Sequence, residues 1–172
     1  DAFSRLTEDK ETVDGVAYIT SYTLNNYGDI LTTTFPSGFG INRQYDANGF
    51  LTSVKNSAGT VTMFTNGGLN AYGQNTSYTL GNGITTQVTY NAFGFPTRYL
   101  AGSKQDLNMV FNLQNGNLTS RTDNIKGKSE SFTYDYSSRL LSSQVSGQSA
   151  VVLTYGTNGN ILTKTGIGTY TY

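Results

Sequence analysis

The chain has 172 residues, with 11 Lys+Arg balanced by 11 Asp+Glu and no His, Cys or Trp. Those zeros exclude His- or Cys-based nucleophilic catalysis, His/Cys zinc sites and disulfide frameworks, and a formal net charge of zero gives no electrostatic footprint for nucleic acid or an anionic membrane. Thr, Gly, Asn and Ser supply 79 of the 172 residues, yet aromatics reach 13%, a mixture that reads as an all-β fold of many short strands joined by Gly/Asn turns.

From the N-terminus onward one short segment recurs. Its copies begin at Asp1, Asn25, Asp46, Asn70, Asn91, Asn112, Asp135 and Gly156, at intervals of 24, 21, 24, 21, 21, 23 and 21 residues, a mean period near 22. Each copy has an aromatic residue, Asp or Asn, two variable residues, Gly, another variable residue, then an aliphatic residue followed by Thr or Ser. The aromatic is Tyr45, Tyr90, Phe111, Tyr134 or Tyr155, with Leu24 and Leu69 substituting. This pattern predicts a strand, a tight turn and a return strand: Asp or Asn bonds its own backbone two residues on, and Gly supplies a positive φ. The expected turn residues are Asp46, Gly49, Asn70, Gly73, Asn91, Gly94, Asn112, Gly116, Asp135 and Gly159. Ser4 and Ser138 occupy the Gly position in two copies, and one extra residue displaces it to Gly116, so a different or strained turn is expected there.

Between the turns, Gly15–Leu24, Thr60–Thr65, Gly83–Tyr90, Ser129–Tyr134 and Ala150–Tyr155 alternate with period two or form short apolar runs, as strands do. Ser57–Gly59, Gly81–Gly83, Ile125–Lys128 and Ser146–Gln148 read as loops at the opposite strand ends. Two strands per repeat predict about sixteen in all, in a single array over residues 1–172. No window sustains helical periodicity. Pro36 and Pro96 fall at or beside turns, where a missing N–H does least harm.

Tyr45-Asp46-Ala-Asn-Gly49-Phe-Leu51 and Tyr134-Asp135-Tyr-Ser-Ser-Arg139-Leu140 resemble the tyrosine–aspartate (YD) repeat, Tyr-Asp-x-x-Gly-Arg-Leu, of Rhs proteins, the C component of bacterial Tc toxin complexes, wall-associated proteins and teneurins. The resemblance covers essentially the whole chain. It implies a long β-sheet that spirals into a shell around a toxic segment or an unfolded polypeptide. It also implies a non-catalytic structural role in a large bacterial secreted or cell-surface protein, of which this chain is expected to be a piece. Only Asp1, Asp46 and Asp135 keep the motif acid and only Arg5 and Arg139 its arginine, which points to turn architecture and away from carboxylate chemistry.

No catalytic, cofactor-binding or metal residue is expected. Asp46 and Asp135 are the tempting carboxylate pair for a glycosidase, but each is read as the cap of its own turn; Glu130 and Asp106 have no evident partner. Glu8-Asp-Lys-Glu11 with Asp14 lacks calcium-loop spacing and reads as a polar hairpin loop. Asn66-Gly-Gly68 and Gly81-Asn-Gly83 lack the Lys and helix of a phosphate loop and read as turns. The in-register aromatics are expected to stack on one another from hairpin to hairpin, whereas Tyr27, Tyr72 and Phe93, just before the turn glycine, are candidates for stacking on sugar rings. The partners this suggests are flanking repeats or an enclosed segment, carbohydrate as the alternative, and edge-to-edge self-association; nucleic acid and membrane insertion are not expected.

Overall fold

The computed structural model describes residues 1–172. Thr, Val, Ile and Tyr at alternating positions make sixteen strands, with no helix. They are β1 (Glu8–Val13), β2 (Val16–Leu24), β3 (Ile30–Thr34), β4 (Gly40–Tyr45), β5 (Leu51–Asn56), β6 (Thr62–Leu69), β7 (Asn75–Leu80) and β8 (Thr85–Tyr90). After these come β9 (Pro96–Ala101), β10 (Gln105–Phe111), β11 (Leu118–Asp123), β12 (Lys128–Tyr134), β13 (Leu140–Val145), β14 (Val151–Tyr155), β15 (Ile161–Lys164) and β16 (Gly168–Thr169). Strand order follows chain order in one open antiparallel sheet. Seven of the eight repeat turns join an even-numbered strand to the next odd-numbered one, and the first, at Asp1, precedes β1.

The chain divides into two compact units, Asp1–Thr85 and Thr86–Tyr172. In the first, paired residues share a face. Tyr22 stands opposite Thr33 and Thr33 opposite Ile41, while Arg43 faces Val54 and Val54 faces Phe64, so the larger side chains collect on one side. Arg43 Nη1 donates to the buried Thr33 Oγ1 at 2.8 Å. The other side is a sheet of hydroxyls and amides: Thr23 and Thr32 bond at 2.7 Å, Thr79 and Thr85 at 2.8 Å, and Ser53 Oγ donates to Gln44 Oε1 at 2.6 Å.

The second unit repeats the division. Val88 faces Tyr99 and Tyr99 faces Leu107, with Thr86 against Ala101. Val88, Ala101 and Leu153 are the buried apolar residues. Its polar face carries Thr133–Ser142 at 2.7 Å and Thr154–Thr163 at 2.6 Å.

No large side chain is fully buried, and the chain exposes 11388 Å², against about 8,200 Å² expected of a compact monomer of this mass. With a single layer and little apolar core, the backbone ladders and the bonds between neighbouring hairpins carry much of the stability, each bond contributing about 1 kcal/mol net.

Two expectations need correction. Glu8-Asp-Lys-Glu11 is not a loop: it lies in β1, where the alternation sends Asp9 and Glu11 to one face and Glu8 and Lys10 to the other. The turn itself is the two-residue Asp14-Gly15 link between paired Val13 and Val16, with φ of 50° and 79°. Asn66-Gly-Gly68 is not a turn either; it lies within β6 at a register shift. There Asn66 Oδ1 accepts from the Gly68 N–H at 2.9 Å, and a Cβ on Gly67 would stand 2.7 Å from Ser77 Oγ.

Candidate functional site

The chemistry of the chain is concentrated in the eight repeat turns. At Asp46, Oδ1 accepts from the backbone N–H groups of Asn48 and Phe50, each at 2.9 Å. The Gly49 N–H donates to Asp46 O at 3.1 Å, the Asp46 N–H donates to Phe50 O at 2.9 Å, and Gly49 has φ 83°. A register shift between Gln44 and Tyr45 marks the bulge that lets a type I turn close two twisted strands. Asn25, Asn70, Asn91 and Asp135 accept the same two N–H groups, two and four residues on. Gly73, Gly94 and Gly159 have φ of 74°, 80° and 88°.

The Ser-containing copies use this turn unchanged: Ser4 and Ser138 take φ of 59° and 58°, so the strain expected of them lies in the serine and not in a different turn. The Asn112 turn is one residue longer. Gly116, at φ 75°, donates to Asn112 O, while Asn115 Oδ1 caps Asn117. In the last copy Gly156 has no side chain, and Asn158 Oδ1 takes the Asn160 N–H at 3.2 Å.

Four residues after the Asp or Asn stands a residue that the sequence pattern treats as variable, and in four of the copies, at Arg5, Phe50, Phe95 and Arg139, it links the turn to the one after it. Arg139 Nε donates to Asp135 Oδ2 at 2.6 Å, its guanidinium carbon lies 4.6 Å from the centre of the Tyr155 ring, and Nη1 reaches Gly156 O at 3.5 Å. Arg5 binds Asp1 through Nε at 2.7 Å and donates from Nη1 to Asn25 O at 2.7 Å. Phe95 stacks on Phe111 at 5.1 Å and lies 3.2 Å from where a Cβ on Gly116 would stand; Phe50 lies 3.5 Å from the same point on Gly73. Gly73 and Gly116 therefore make room for the preceding turn's side chain as well as supplying φ.

This alters the expected aromatic ladder. Phe111 and Tyr155 contact the residue following the preceding turn, not the equivalent aromatic of the next hairpin. The tyrosine hydroxyls add a second link: Tyr45 donates to Ile30 O at 3.0 Å and Tyr155 to Leu140 O at 2.8 Å, each to the preceding repeat.

The pairing inside a turn also reverses polarity. Asp1 and Asp135 face arginine, whereas Asn25 donates from Nδ2 to Asp29 Oδ2 at 2.8 Å and Asn70 to Gln74 Oε1 at 2.9 Å. The Arg139 backbone N–H, aided by its side chain and the Ser137 N–H, holds the Asp135 carboxyl below the usual carboxylate range. The Arg98 and Asn124 side chains do the same for Asp106.

Asp46 and Asp135 lie in different units, each engaged in its own turn. Glu130 and Asp106, which lacked an evident partner in sequence, bind Arg121 at 2.6 Å and Arg98 at 2.8 Å across neighbouring strands. Tyr27, Tyr72 and Phe93 stand at the turn tips, 93%, 72% and 64% exposed. Arg5 and Arg139 stand out in the sequence as the motif arginines, but the link that they, Phe50 and Phe95 make to the following turn does not. The signal was the matched exchange of Asp with Arg for Asn with an acceptor.

No family model matches the sequence, and no characterised protein matches it by sequence. Solved structures do match in fold. A chain of the TcdB2-TccC3-Cdc42 crystal structure aligns with TM-score 0.72 at 20% identity, over 92% of this chain and 10% of that one. A chain of the Photorhabdus luminescens Tc holotoxin pore aligns with TM-score 0.71 at 18% identity, over 89% and 9%. The chain spans about a tenth of those chains' length. At this identity the likeness is one of fold, and that fold is the open repeat sheet the YD-repeat resemblance implies.

Proposed function

We propose that the chain is a non-catalytic stretch of wall in a large secreted or cell-surface bacterial protein, a β-shell that encloses or displays another polypeptide segment such as a toxin. The observation that carries this reading is the coupling of turn to turn: a sheet with almost no buried core is extended by Arg139–Tyr155, Phe95–Phe111 and Tyr45–Ile30 contacts, each linking one repeat to its neighbour. Such contacts can be repeated without limit and leave both faces open. The turn residues from Asp46 to Gly159 are structural in this reading, residues 1–172 form one array, and the fold shared with Tc toxin chains supports it.

Removing one repeat from the parent protein tests the proposal. An enclosed segment that resists protease in the intact protein should become cleavable once the wall is shortened. Unchanged protection would sink the idea.

A second reading rests on Tyr27, Tyr72 and Phe93, exposed at the same position of the second, fourth and fifth turns: a carbohydrate-binding surface. Saturable glycan binding, lost in Tyr27→Ala or Tyr72→Ala with the fold intact, would promote it over the wall reading.

A further inference from the structure

We infer that the hollow between the second and third repeat turns is a binding site for a guanidinium group, an arginine side chain presented by another polypeptide. The inference stands independently of the wall reading.

The hollow, about 730 Å³, is lined by Asn25, Tyr27 and Asp29 of one turn, by Leu31, and by Tyr45 and Asp46–Gly49 of the next. Its position in the repeat identifies its guest. At four other junctions the corresponding space holds the fourth residue after the turn Asp or Asn. Arg5 fills it between the first and second turns, donating to Asn25 O at 2.7 Å, and Arg139 fills it before the last turn, lying over Tyr155 and reaching Gly156 O. Phe50 and Phe95 fill it with a ring. Between the second and third turns that residue is Asp29, whose carboxylate is engaged by Asn25 within its own turn.

What an arginine would meet is nonetheless in place. Tyr45 corresponds to Tyr155, and its hydroxyl makes the same bond to the preceding repeat, so both rings are held alike. Asp46 O corresponds to Gly156 O. Both accept the N–H of their turn glycine, at 3.1 and 3.0 Å, but only Gly156 O also receives a guanidinium. Asp46 Oδ1 is taken up by its turn, and Oδ2 has no arginine facing it, because Phe50 stands where Arg139 stands relative to Asp135. The walls therefore offer two carboxylates, a carbonyl with a lone pair to spare and an aromatic face, which together match a flat cation with a fork of donors better than a compact ammonium.

The test is an NMR titration of the whole chain with N-acetyl-L-arginine amide and, separately, its lysine counterpart. Saturable shifts at Asp29 and Asp46–Gly49 are expected, with a dissociation constant on the order of millimolar for so open a site, and lysine at least about 5-fold weaker. Asp29→Asn, which keeps an acceptor for Asn25, should weaken arginine by at least about 5-fold with the rest of the spectrum unchanged. The pair Asn25→Asp with Asp29→Arg rebuilds the Asp135–Arg139 arrangement; it should fill the hollow from within, abolish binding and raise the melting temperature. Non-saturating shifts, equal response to lysine, indifference to Asp29→Asn, or binding that survives in the double variant would each overturn the inference.

Discussion

The turn at Asp135 and the turn at Asn25 share one backbone and carry opposite side-chain chemistry. Each accepts two N–H groups through one oxygen. The first then spends its second oxygen on Arg139, which goes on to the following turn; the second uses its amide to hold Asp29 and sends no cation onward. Turn closure and repeat coupling are thus separate functions of one motif, and the first survives when the second is altered. That separation explains how eight copies tolerate Asp, Asn, Arg, Phe, Gln and Gly at these two positions while the strand order stays regular.

The sharpest way to break the comparison is at the glycines, where closure and coupling meet. Gly116 has φ 75° and Phe95 at 3.2 Å from a modest Cβ, whereas Gly49 has φ 83° and nothing within 4 Å. Gly116→Ala should cost about 2 kcal/mol in denaturant unfolding and Gly49→Ala about 1 kcal/mol. Equal losses would show that coupling adds nothing to the glycine's role. Next, Asn25→Asp removes the donor to Asp29 and sets two carboxylates together; a loss of about 1 kcal/mol, shrinking in high salt, is expected. Smaller still, Ser138→Gly relieves a left-handed serine and should raise stability by about 0.5 kcal/mol in the same measurement.

The weakest effect is expected from pH, because Asp135 is close to solvent. Its folded carboxyl lies below the ordinary range, so its contribution is present above the unfolded pKa and fades as pH falls through the lower, folded one. Unfolding midpoints followed from neutral to acid pH should fall less steeply in Asp135→Asn than in the parent chain. A parallel decline in both would remove Asp135 from the account.

How much of this was legible beforehand divides along the same line. Asx and Gly at fixed offsets, with period-two strands between, are local signals, so the turns, the sixteen strands and their antiparallel order could be read from the residues. The contact of Phe95 with Gly116 spans 21 positions and depends on how one hairpin registers on the next, which no local pattern encodes. Composition misled twice: the charges of β1 mimic a loop although an exposed strand tolerates them, and the glycines of β6 mimic a turn although they make a bulge.

The coupling also gives the array a direction. Arg139 reaches forward to Tyr155 and Gly156, and Tyr155 reaches back to Leu140, so a junction of this kind is a matched lock with a sender and a receiver. Copies therefore cannot be shuffled freely, despite their common backbone. A hairpin moved beside a foreign neighbour keeps its turn but meets a mismatched junction, with a cation lacking its ring or a ring pressed against a Cβ. Recombination between such arrays should be tolerated where sender and receiver travel together, a grammar that favours the exchange of runs of repeats over the exchange of single ones.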